Sequence, residues 1–248
     1  MGELILTADS TAVVITDPHV DFLNPEGVVW DKVGDTVEKN AVVEKLVALR
    51  EAAKDGDIPV FYSPHYYQDE EYEEWEDLNN IDEMMFGVRM FDVDGEGSDF
   101  VPELEPDENT FVLSPHKHLS GFWANDIQAQ LTKRGIDTIV LAGMSANPCV
   151  ESHLRDAVEN GFKVLVVTDA TAAAGEDALE AARTNYEFIA HETATTDAVT
   201  DRLRGDAAET KIAKDERHAE RSFSAEASPT VRSRCRRGAG FLLESLMW

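Results

Sequence analysis

Three residues of this chain could together carry out covalent chemistry: Asp17, Lys117 and Cys149. A deprotonated thiol is a strong nucleophile, a carboxylate can take its proton, and an ammonium can orient and stabilise the charges that result. That set suits attack on a carbonyl carbon. Each type alone has a structural use, since an Asp often shapes a turn, a Lys is usually solvated and a Cys often fills a core. Placement is what joins them, because each follows a short apolar run: TAVVIT (11–16), TFVLS (110–114) and DTIVLAG (137–143). Cys149 comes directly after Pro148 and is expected to open a helix, whose N-terminal N–H groups and partial positive charge favour thiolate over thiol. The turn GMSANPC (143–149) offers backbone N–H groups for the oxyanion of a tetrahedral intermediate.

The elements that must position these residues alternate along the chain. Continuous β-branched runs such as TAVVIT and IPVFYS (58–63) read as strands buried on both faces. Between them Val42, Leu46, Leu49 and Ala53 recur at helical spacing, and Gly56 closes that helix. Residues 65–107 keep no sustained period and read as a long excursion with one short helix. After TFVLS, the residues Trp123, Ile127 and Leu131 predict a helix with all three facing inward. DTIVLAG, a helix from about Cys149 to Asn160, the strand KVLVVTDA (163–170), a helix near 176–186 and a last strand in YEFIA (186–190) complete the pattern. Strands alternating with helices imply an α/β fold, a three-layer α/β/α sandwich with a mostly parallel, Rossmann-like sheet of about six strands. In such sheets ligands bind beyond the carboxyl ends of the strands, where the three candidates stand.

Composition narrows the partners. The chain has 248 residues with 49 acidic against 22 basic side chains, a formal net charge of −27. Such a surface repels phosphate backbones and anionic membrane faces, so the expected partner is a small molecule and neither nucleic acid nor membrane. No run of 18 apolar residues occurs, and the N-terminal stretch lacks the basic start of a signal peptide, so a cytoplasmic location is expected. Two cysteines, Cys149 and Cys235, do not suggest a disulfide framework. Through residue 200 there are 41 acids and 12 bases, a net of −29, whereas 201–248 holds 8 acids and 10 bases. The acidic part, with runs such as DEEYEEWED (69–77), fits a halophilic source or simply an acidic protein. The chain is read as a hydrolase domain over 1–204 and an atypical basic tail over 205–248. That tail is either out-of-frame sequence or a basic arm docking on acidic surface.

The stretches TAVVITDPHVDF (11–22) and HKHLSGFWANDIQAQLTKRGIDTIVLAGMSANPCVESHLRDAVENGFKVLVVTDATAA (116–173) resemble the isochorismatase-like cysteine hydrolases. The shared elements are an early D-x-x-x-D-F, a Lys followed by a Ser-x-F-like segment, and G-x-x-x-N-x-C-V, over roughly residues 10–200. The resemblance implies Asp17 as general base, Lys117 as the stabilising cation and Cys149 as the nucleophile that forms a thioester. It places an oxyanion hole on the backbone N–H groups of Ser145 and Cys149, with a non-proline cis peptide between Met144 and Ser145. It implies no cofactor, and a homo-oligomer, dimer or tetramer. Asp21 and Phe22 would shape the pocket floor.

Departures from the pattern bear on the reaction. Keeping Cys149 favours hydrolysis of a C–N bond in an amide, ureido or carbamoyl compound over the vinyl-ether cleavage of isochorismatases proper. A non-catalytic binding module of the same fold is the other alternative. Nicotinamidases of this superfamily carry an Asp-x-His metal element after the second strand; here Ser63, Pro64 and His65 stand there, so no catalytic metal is expected. His65, His116, Trp75, Phe122 and Phe22 are the candidate substrate contacts. His19, His118, Trp30 and Tyr66 also stand near the expected pocket, each with an equally good structural use.

Overall fold

The computed structural model describes residues 2–205, so the tail expected from residue 205 lies, except for Gly205, outside the described residues. Strand β1 (Thr11–Thr16) leads through the one-turn α1 (Val20–Leu23) to α2 (Trp30–Asn40) and α3 (Val42–Asp55). Then come β2 (Val60–Ser63), α4 (Asp69–Glu74), α5 (Asn80–Gly87), β3 (Thr110–Val112), α6 (Gly121–Ala124) and α7 (Ile127–Lys133). The chain continues with β4 (Thr138–Gly143), α8 (Glu151–Glu159), β5 (Lys163–Val167), α9 (Glu176–Ile189) and β6 (Glu192–Ala194). All neighbouring strands pair in parallel, in the order β3-β2-β1-β4-β5-β6.

Alternation along each strand divides the core between the two faces of the sheet. Val13, Ile15, Val60 and Tyr62 pack with Leu46 and Leu49 of α3 on one side. Ala12, Val14, Phe61, Ile139 and Leu141 pack with Ile127, Leu131, Leu154 and Tyr186 on the other. Because both faces are covered, β1 and β4 are buried along their whole length, which is why they read as unbroken apolar runs. The strand order reverses between β1 and β4, and the crevice beyond their carboxyl ends is the place where such sheets take ligands. The close approach there demands a glycine: Gly143 has φ 115°, and a Cβ on it would lie 2.2 Å from the Thr16 carbonyl oxygen.

Several expectations change. YEFIA is not a strand; residues 186–189 finish α9, because Leu179, Ala182 and Tyr186 continue a helical apolar face, and the last strand is β6. The single helix expected through Trp123, Ile127 and Leu131 is broken at Asn125, whose extended backbone separates α6 from α7. The break puts Trp123 out of phase, 86% exposed, while Ile127 and Leu131 are fully buried. The 65–107 excursion contains α4, α5 and two short 3-10 turns, and it folds over the strand ends instead of away from them.

Candidate active site

Asp17 is the first residue past β1, fully buried, in a left-handed backbone conformation (φ 46°), with its N–H bonded to the Ser63 carbonyl at 3.1 Å. Its Oδ1 accepts from His116 Nε2 at 2.9 Å, and both side chains are completely buried. Burial by itself would raise the Asp17 pKa, but the attraction and hydrogen bond of His116 overcome that cost and hold the carboxyl well below the usual range. Asp17 therefore stays ionised inside the protein.

Cys149 lies beyond β4, 4% exposed, in a π-helical turn (Ala146–Val150) that precedes α8. This corrects the expectation that Cys149 begins a regular helix with free N–H groups. The N–H groups of Cys149 and Val150 both donate to the Ser145 carbonyl at 3.0 Å. Burial, followed by the charge and acceptor capacity of Asp17, pushes the thiol pKa well up. The resting pair is a thiol beside a carboxylate, not the preformed thiolate that a helix N-terminus would favour. The Ser145 backbone N–H bonds toward the sulfur and is the one group that lowers the thiol pKa. Of the two expected oxyanion donors, Ser145 N–H is thus aimed at the reacting atom, while Cys149 N–H is already shared with a carbonyl. The Met144–Ser145 peptide is cis, as the resemblance implied.

Lys117 is not brought to this pair. Its ammonium bonds the Tyr66 carbonyl and the Glu71 carboxylate of α4, and it lies 5.2 Å from the centre of the Tyr67 ring. Its neighbour His116 takes the place beside Asp17 where the cation was expected. The cause is local: His116 N–H bonds the Pro64 carbonyl at 2.8 Å, continuing the β2–β3 ladder and turning its side chain toward Asp17. The next residue then faces the opposite side, toward the excursion.

His65 is also buried at this point, its ring 4.5 Å from those of both His116 and Phe91, and its N–H donates to His19 Nε2 at 3.0 Å. Burial lowers its pKa well below the ordinary imidazole value, so it is neutral. Candidate ligand atoms of Asp17, His65 and His116 lie within 4.8 Å of one another. His65 therefore has two possible co-ligands that its sequence surroundings, with Ser63 in place of an Asp, do not reveal.

The cavity at Cys149 has a volume of about 190 Å³ and is lined mainly by Phe22, Met84, Met85, Met90, Phe91 and Leu119, with Ser145 and Asn147 on the turn and Lys32 as its charged residue. Phe22 is thus where it was expected. Trp75 packs instead against Tyr67, Phe86 and His118, and Phe122 against His153 and Phe162, so neither lines this cavity. Phe91 reaches the cavity because Asp21 Oδ2 accepts its N–H at 2.7 Å, tying the excursion to α1.

One supporting residue was not anticipated. His153, on α8 one turn after Cys149, donates from Nδ1 to the Cys149 carbonyl at 2.8 Å, because a carbonyl can only accept. That fixes its tautomer, and Nε2 then accepts from Gly121 N–H and the Ser63 hydroxyl, both at 3.0 Å. Burial lowers its pKa to about 4, which keeps it neutral. The i, i+4 spacing from Cys149 was the available signal, hidden because His153 reads equally well as an ordinary helix residue.

Comparison with known proteins bears on the family and the fold. A family model described as the Isochorismatase domain matches residues 11–198. The ureidoacrylate amidohydrolase RutB of Methylorubrum extorquens is 30% identical over 186 residues, covering 70% of this chain and 74% of that protein. Among solved structures, a cysteine hydrolase from Pseudomonas syringae pv. phaseolicola superposes with a TM-score of 0.69 at 22% identity, over 82% of this chain and 96% of the other. An N-carbamoylsarcosine amidase from Thermoplasma acidophilum gives a TM-score of 0.60 at 24% identity, over 76% and 97%. The structural likenesses establish the fold, and with the matched domain they lead to one conclusion: the chain belongs to the isochorismatase family.

Proposed function

We propose that the protein is a cysteine-dependent hydrolase of a small-molecule C–N bond in an amide, ureido or carbamoyl substrate. The observation that carries this reading is the pairing of a buried carboxylate, Asp17, with a buried thiol, Cys149, at the point where the strand order reverses and beside a small apolar cavity. As substrate enters, the thiol proton passes to Asp17 and the sulfur attacks the carbonyl carbon. Because the thiol pKa is raised and that of Asp17 lowered, this transfer is uphill at rest and is completed only as the C–S bond forms. The oxyanion faces Ser145 N–H. Asp17 then returns the proton to the departing nitrogen, the amine or ammonia leaves, and a water deprotonated by Asp17 cleaves the thioester.

The cavity bears on substrate class. At about 190 Å³ it admits only a small molecule, its methionines and phenylalanines suit an apolar portion, and Lys32 at its wall suits a carboxylate. Relatives include a ureidoacrylate amidohydrolase, and a protein of the same fold is an N-carbamoylsarcosine amidase, both named for hydrolysis of this type of bond. The test is ammonia release from a panel of amides, ureido acids and carbamoyl acids by the wild type and by Cys149→Ala. Loss of at least about a thousandfold in the variant, with an acyl adduct on the wild type seen by intact-mass spectrometry, is the expected result. Substantial ammonia release by Cys149→Ala would overturn the cysteine mechanism while keeping C–N hydrolysis, and no ammonia from any panel member with the wild type would replace this reading with vinyl-ether chemistry, which needs no cysteine.

A further inference from the structure

We propose that Asp17, His65 and His116 together bind one divalent first-row transition-metal ion next to Cys149. The ligand set is two imidazoles and one carboxylate drawn from the ends of β1 and β2 and the segment after β3, so the sheet itself fixes their approach. Such a set suits zinc, iron or manganese, whereas magnesium and calcium prefer oxygen ligands throughout. Three protein ligands leave open positions, the pattern of ions that take part in chemistry and not only in folding.

A second observation points the same way. Among the described residues, seven buried side-chain nitrogen or oxygen atoms lack a hydrogen-bond partner, and four of them are Asp17 Oδ2, both ring nitrogens of His65 and His116 Nδ1. Buried polar atoms without partners are uncommon in folded proteins, and here four of the seven belong to the three residues of this cluster, with neither ring nitrogen of the fully buried His65 bonded. A cation satisfies several lone pairs at once. Ligands about 2.0–2.2 Å from a tetrahedral ion stand roughly 3.4 Å apart. Asp17 Oδ1 and His116 Nε2 are already at 2.9 Å. The remaining adjustment falls on His65, whose ring nitrogens hold no bond that resists a turn. On binding, the ion displaces the proton now shared by Asp17 and His116.

The ion would also answer a question of charge. The resemblance calls for a cation beside the base and the nucleophile, yet the Lys117 ammonium is spent on Glu71 and the Tyr66 carbonyl. A metal held by His65 and His116 supplies positive charge in that place, and the second oxygen of Asp17 stays available to the thiol. This consequence rests on the hydrolase reading; the binding site itself does not.

The test uses the full-length, tag-free protein, stripped with a chelator and dialysed against micromolar Zn²⁺ in molar KCl, which suppresses weak binding to exposed carboxylates. Metal content is read by mass spectrometry and ligand type by the visible spectrum of the Co²⁺ form. The wild type and Cys149→Ala should each retain about one equivalent, and neither should show a thiolate-to-cobalt band. His65→Phe, which keeps the stacking on Phe91, and His116→Gln should each bind at least tenfold more weakly, with unchanged circular dichroism. Uptake below about a fifth of an equivalent, wild-type binding by His65→Phe, or loss of binding in Cys149→Ala would overturn the proposal. Hydrolysis by the same proteins is scored separately, so an enzyme that turns over by Cys149 but takes up no metal refutes only the metal.

Discussion

His116 and Lys117 are adjacent and both basic, yet they meet different surroundings, and substitution should separate them. His116 supplies a hydrogen bond to Asp17 inside the protein, so His116→Ala leaves a buried carboxylate oxygen without its partner. We expect kcat/KM to fall at least a hundredfold, equivalent to about 2.7 kcal/mol of transition-state stabilisation. Lys117 instead joins the excursion to the strand ends through Glu71, Tyr66 and Tyr67. Lys117→Met should therefore leave kcat/KM within about threefold while lowering stability by about 1–2 kcal/mol in urea unfolding. A well-folded Lys117→Met without activity would show that the ammonium serves the reaction after all. The sequence drew attention to this segment but not to which of its two adjacent basic side chains meets Asp17, because a Lys before a Ser-x-F-like stretch fits the motif whereas side-chain direction depends on the β2–β3 register. The placement of Cys149 and Asp17 side by side was legible because both follow apolar runs that become neighbouring parallel strands, β4 and β1. The protonation state of Cys149 was not, because it depends on burial under a segment with no readable period.

At the scale of elements, the parallel strands and their helices could be read from unbroken apolar runs and helical spacing. What escaped was set by contacts distant in sequence. Asn125 breaks a helix whose apolar spacing ran on across it, since its side chain bonds Ser63 on β2 and the Ile127 N–H. The 65–107 excursion lacks a period because α4 and α5 are short and bury little of themselves, being held by bonds such as Asp21 to Phe91. Asp169 illustrates such a tie and allows a pH prediction. It follows β5, pairs with Lys45 of α3 at 3.0 Å, and accepts both the N–H and the hydroxyl of Thr196 where the chain turns helical again. Burial would raise its pKa, but the bonds to Lys45 and Thr196 outweigh burial and hold it below the ordinary aspartate value. A carboxyl with a lower pKa when folded contributes its full stability above the unfolded value, and that contribution disappears as pH falls through the folded one. Wild type and Asp169→Asn should therefore differ in stability at pH 7, begin to converge only as pH falls below about 4, the ordinary aspartate value, and meet below the lowered value of the folded state. Parallel stability curves across that range would show that Asp169 contributes shape and not charge.

At the scale of the whole molecule, the charge balance sets two salt effects against each other. With 41 acids and 12 bases through residue 200, like-charge repulsion acts across the surface, and salt relieves it by shortening the Debye length from about 10 Å at 0.1 M to about 3 Å at 1 M. The opposing loss comes from ion pairs, such as Lys39 with Glu176 and Lys163 with Asp137, which are well exposed. Exposed pairs are each worth about 0–1 kcal/mol and use only one acid apiece, so most of the acidic excess is left without a cation. Repulsion should win. Raising KCl from 0.1 to 1 M should stabilise the fold by about 2 kcal/mol, a rise in Tm of roughly 4–8 °C for a domain of this size. Neutralising exposed acids of α4 and the segment after it, as in Glu70→Gln, Glu73→Gln, Glu74→Gln and Glu76→Gln together, should raise Tm at low salt and flatten its dependence on KCl. A Tm that falls as KCl rises, or a salt slope unchanged in that variant, would mean that the ion pairs and not the acidic excess govern the surface.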